Sequence, residues 1–133
     1  MSETMTKEQI FEIFKDEFNS IVRRYERNVE NYTLKAAQNY EYFFRCYSDR
    51  LYKATINLDA IKSMRPMLHW DNVDKVAVWL ENHINGIEQT LIEGQTLPSS
   101  TSMMNNVADV LKRSALQELR DDLQRLYYVL KNE

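Results

Sequence analysis

From Phe11 to Ile61, every third or fourth residue is apolar or aromatic. The positions are Phe11, Phe14, Phe18, Ile21, Tyr25, Val29, Tyr32, Ala36, Tyr40, Phe43, Tyr47, Leu51, Ala54, Leu58 and Ile61. They advance by about 3.6 residues per step, the pitch of an α-helix. Charged residues fall off this stripe, and no glycine or proline occurs between Met1 and Arg65. The pattern predicts helix over about 6–64. A stripe that keeps its phase favours one continuous helix to about Thr55, because a turn usually adds or removes a residue. The alternative breaks are residues 28–33, where Asn and Thr offer caps, and Asn57, as the N-cap of a short Leu58–Met64 segment.

Pro66 ends this region, since proline cannot continue a helix interior and turns Arg65 away from helical angles. A second helix is predicted over 72–93, with Asp71 or Asn72 as its N-cap and Asp74 in its first turn. Val73, Val76, Ala77, Leu80, Ile84, Ile87 and Leu91 form its stripe. Gly94 fits as its C-cap, and Gly86 in mid-helix suggests a close helix crossing. After a polar loop, 95–102, Ser100, Thr101 or Ser102 caps a last helix over 103–130. Its stripe is Met104, Val107, Leu111, Ala115, Leu119, Leu123, Leu126 and Leu130, widened by Val110, Leu116 and Tyr127.

The predicted fold is an all-α bundle of three to four helices in one domain, a long N-terminal helix followed by a helical hairpin. Length constrains its assembly. At 1.5 Å per residue the last two helices span about 33 and 42 Å, and an unbroken first helix about 75 Å. A hairpin cannot cover that length, so continuity implies a homodimer. A break near Asn31 instead gives four helices of similar length that close as a monomer.

Composition agrees with helices. The 133 residues include two glycines and two prolines, too few turn formers for an all-β chain. The net charge of −3 gives no general attraction to nucleic acid or anionic membranes. Its distribution is uneven, however. Seven cations stand against four acids from Ser20 to Lys53, and one lysine against five acids from Met67 to Gly94. No apolar run approaches the ~20 residues that cross a bilayer. One cysteine, Cys46, excludes an intrachain disulfide. The chain begins with polar residues rather than a secretory signal, and a cytoplasmic setting is expected.

Signals for chemistry are sparse. His69 and His83 have no carboxylate at metal-binding spacing, so neither a metal nor a cofactor is expected. His69 reads as closing a bundle end, and His83 as a solvated helix residue. No glycine-rich loop cradles phosphate. Cys46, between Arg45 and Tyr47, reads as a small buried or half-buried thiol rather than a reactive one.

The densest feature is Asn39–Tyr52, which holds six aromatics. One helical stripe cannot bury all of them. Aromatic and arginine side chains are also enriched at the energetic centres of protein interfaces. The candidate partner-binding residues are therefore Tyr40, Tyr42, Phe44, Arg45, Tyr47, Arg50 and Tyr52. The expected function is that of a non-enzymatic protein–protein interaction module, an adaptor, assembly factor or inhibitor that self-associates. The alternative is a nucleic-acid-associated protein using Arg23, Arg24 and Arg27. It is less favoured because Glu26, Glu30, Glu41 and Asp49 interleave with the cations at ion-pairing spacings.

Overall fold

Thr6 starts the first helix through a reciprocal cap. Its hydroxyl accepts the Gln9 amide at 3.1 Å, and the Gln9 side chain accepts the Thr6 amide at 2.9 Å. The helix, α1, runs over Lys7–Gln38. It ends at one residue, Asn39, in extended conformation (φ −157°, ψ 94°). The Asn39 N–H still bonds the Lys35 carbonyl at 3.3 Å, while its side chain accepts the Tyr42 amide at 3.1 Å. Asn39 thus closes α1 and caps α2, Tyr40–Ser63. A 3-10 turn, Arg65–His69, leads to α3, Val73–Thr96, and α4 covers Met103–Lys131. The computed structural model describes residues 5–70, 72–96 and 103–131.

The expectation of one continuous helix is therefore corrected. The break falls at neither residues 28–33 nor Asn57. A one-residue reversal left the apolar stripe in phase, and no glycine was needed because the extended φ of Asn39 suits any residue. Asn57 instead sits inside α2, buried, with its amide facing Glu118 at 3.4 Å.

Cross-helix contacts set the topology. Tyr32 of α1 meets Tyr47 of α2, with ring centroids 6.2 Å apart, so these helices form an antiparallel hairpin about Asn39. Tyr127 reaches Glu81 at 3.2 Å and Gln124 reaches Glu88 at 3.4 Å, which makes α3 and α4 antiparallel. Lys7 and Asp74 pair at 2.8 Å and bring the starts of α1 and α3 together. The result is an up-down-up-down four-helix bundle in which α4 packs against the other three. With α1 folded onto α2, no second copy is needed to cover a 75 Å helix, and the geometric reason for a homodimer falls away.

The stripes meet in one core. Phe14, Phe18 and Val22 of α1, Ile61 of α2, Val76 and Leu80 of α3 and Leu119, Leu123 and Leu126 of α4 are almost fully enclosed. Met64 and Met67, before and within the 3-10 turn, close one end of it. Asn72 caps α3 by accepting the Lys75 amide at 3.0 Å. Two expectations for α3 are corrected. The helix runs two residues past Gly94, and a Cβ at Gly86 would meet nothing within 4 Å, so no helix crosses closely there. The expected caps Asp71 and Ser100–Ser102 lie outside the described residues.

Candidate protein interface

The core does not extend to the Asn39 end of the bundle. In α1 the buried residues stop at Tyr25, and in α4 they begin at Ala115. Met104 and Val107, read from the sequence as core positions, are exposed, as is Val110 beside them. The apolar stripe continues beyond the point where facing helices enclose it.

Phe43 anchors this end. It is buried (3% exposed) and stacks on Tyr47 at 6.4 Å. Tyr47 is half-buried between Phe43 and Tyr32, and its faces take the Lys35 ammonium at 4.7 Å and the Arg50 guanidinium at 5.2 Å. Tyr40 touches Phe43 and Phe44 at 6.4 and 6.3 Å, and Tyr42 meets Tyr47 edge-on at 6.0 Å. Tyr40, Tyr42, Phe44 and Tyr47 thus belong to one network of rings. The outer members face solvent: Tyr40 is 68% exposed, Tyr42 58% and Phe44 53%. Cys46 beside Tyr42 is exposed, contrary to the expected buried or half-buried thiol, and it is the main cause raising the Tyr42 phenol above its usual pKa.

The other expected interface residues are less central. Arg45 is tied to Glu41 at 3.0 Å along α2, both exposed. Arg50 covers Tyr47. Tyr52 is exposed but stands outside the ring network. Sequence reasoning missed the supports, Tyr32 and Lys35, which lie across the hairpin. They could be found from sequence only by knowing that the chain reverses at Asn39.

Of the arginines in the alternative reading, Arg24 is committed to a partner on another helix. It donates to Asp122 of α4, and the Tyr25 hydroxyl donates to the same carboxylate oxygen. Arg125 lies 3.7 Å from the other oxygen of Asp122, which is 5% exposed. Bonding to Asp122 raises the Arg24 pKa. Burial first, and then Asp122, raise that of the Tyr25 phenol. Arg23 takes no part in this cluster. Asp122 was not anticipated, since its partner Tyr25 lies 97 positions away in the chain. The interleaved acids pair differently from expectation: Glu41 makes its intrahelical pair, but Glu26 faces Arg65 at 4.0 Å, across the hairpin.

At the opposite end, Trp70 and Trp79 meet edge-on at 5.7 Å, and His83 stacks on Trp79 at 5.0 Å. His83 is half-buried rather than solvated, and burial lowers its pKa below the ordinary 6.5. His69 is exposed in the 3-10 turn rather than closing the core. Among the described residues, no three His, Cys, Asp or Glu side chains gather closely enough to hold a metal, and no helix is long and apolar enough to cross a membrane. No family model, curated protein or solved structure matches this chain.

Proposed function

We propose that the protein is a non-enzymatic protein–protein interaction module, an adaptor, assembly factor or inhibitor, that docks through the aromatic end of α2. The observation that carries this reading is the contrast within one helical turn: Phe43 is sealed while Tyr40, Tyr42 and Phe44 present large rings to solvent. A rigid ring network anchored from below is the arrangement that interface hot spots use. The first occupant to test is a second copy of the chain. The proposed setting is the cytoplasm, where a lone exposed thiol such as Cys46 stays reduced. A nucleic-acid role for Arg23, Arg24 and Arg27 has less support, because Arg24 is bonded to the buried Asp122 rather than free for a phosphate backbone.

The test is light scattering across a concentration series, with capture of partners on the immobilised protein, for the native chain and for Tyr42→Ser with Phe44→Ser. Both side chains are exposed, so the double variant should fold. The expected result is a mass that rises with concentration or a retained partner, either one lost in the variant. A strict monomer at high micromolar concentration that retains no partner would overturn the reading.

A further inference from the structure

A groove of about 290 Å³ runs between α1 and α4, about 22 Å along α1 from the Asn39 turn. Its rim carries three guanidinium groups, from Arg24, Arg27 and Arg125, and its floor is Ile21, Leu126 and Val129. The buried Asp122 carboxylate serves Arg24 and Arg125 together. One negative charge there faces two positive ones. Arg27 adds a third positive charge and has no ion pair among the described residues. Among the described residues, the arginine end of the groove therefore sets three guanidinium groups against the one carboxylate, Asp122, that is ion-paired with any of them. Glu17 lines the other end, ten positions before Arg27 and about 15 Å away along α1. The groove is thus polarised, cationic at one end and anionic at the other, with an apolar floor between them and the Ser20 hydroxyl at its edge.

We infer that this groove binds a phosphate monoester with a small apolar body, its phosphate among Arg24, Arg27 and Arg125 and its body on Ile21, Leu126 and Val129. A phosphate monoester carries about −1.5 to −2 at pH 7, which suits an end of the groove where cations outnumber the paired carboxylate. Guanidinium groups suit phosphate oxygens through paired, charge-assisted hydrogen bonds. The volume lies at the small end of ligand sites, which fits a compact ligand rather than a nucleic-acid strand. Glu17 repels the anion from the far end and so fixes the ligand's direction. The site is separate from the aromatic end of α2, so its failure leaves the interface reading untouched.

The probe is phenyl phosphate, titrated into the full chain at about 50 mM salt and followed by amide chemical shifts, with benzoate as the monoanionic comparison. Saturable shifts confined to residues 17–27 and 122–129 are expected, with benzoate binding more weakly. Arg27→Gln with Arg125→Gln should weaken phenyl phosphate about ten- to hundredfold, and Glu17→Gln should tighten it. Both arginines are exposed and the urea midpoint checks the fold. Absence of saturable binding, binding unchanged in the double arginine variant, or benzoate binding as tightly as phenyl phosphate would each overturn the inference.

Discussion

Replacing Asp122 with alanine probes how α4 is locked to α1. The carboxylate is almost fully buried and accepts hydrogen bonds from the Tyr25 hydroxyl and the Arg24 guanidinium. Its removal has unequal effects on the two donors. Arg24 is about half exposed and rehydrates, so its lost bond costs about 1 kcal/mol after screening. Tyr25 is 4% exposed, and its hydroxyl loses its Asp122 acceptor, which costs about 1–3 kcal/mol. The expected loss is about 2–4 kcal/mol, a large share of the roughly 5–15 kcal/mol that holds a domain folded. Tyr25→Phe removes the hydroxyl but leaves the Arg24 pair, and should cost about 1–2 kcal/mol. Because the two substitutions break a shared bond, the double variant should cost about 1–2 kcal/mol less than their sum. The assay is urea unfolding followed by helical circular dichroism, with the slope checked for constancy. A loss below about 0.5 kcal/mol for Asp122→Ala, or additivity within about 0.3 kcal/mol, would refute the argument.

Other consequences follow from single sites. Gly86→Ala should raise stability by up to about 1 kcal/mol, since the added methyl meets nothing and alanine favours helix; urea unfolding checks this. The Tyr25 phenol is held above its ordinary 10.0 in the folded state, so above pH 10 the unfolded chain ionises there first. The unfolded chain then binds fewer protons, and this contribution to stability is lost as pH rises, by up to about 1.4 kcal/mol per pH unit. Tyr25→Phe should flatten that alkaline slope. Asn39→Ala removes the cap on the Tyr42 amide and should cost about 1 kcal/mol, read from the same urea curves.

Much of the bundle was legible in the chain because burial on a helix repeats every three or four residues. Phe14, Phe18 and Ile21, then Val76, Leu80 and Ile84, then Leu119, Leu123 and Leu126 were placed on core faces, and all are buried. The reversal at Asn39 was not legible, since a one-residue connection keeps the stripe in register. Its trace is local: an Asn two positions before Glu41, which together make an N-cap and an acidic first turn. The exposure of Met104 and Val107 was hidden for a different reason. Periodicity shows which face is apolar, but whether another helix reaches it depends on where helices end in space. The aromatic excess of Asn39–Tyr52 was visible as more rings than one stripe can bury. Which of them are sealed, Phe43 and partly Tyr47, depended on Tyr32 and Lys35 arriving from α1.

The hairpin at Asn39 determines both the closure of the bundle and the exposure of its aromatic end. It is tested most directly by the distance between spin labels at positions 23 and 59, both exposed, in a chain carrying Arg23→Cys, Asp59→Cys and Cys46→Ser. Helices packed side by side have axes about 8–10 Å apart, so the hairpin predicts labels within about 25 Å of each other. A continuous helix places those positions about 54 Å apart, and a distance near that value would contradict the account.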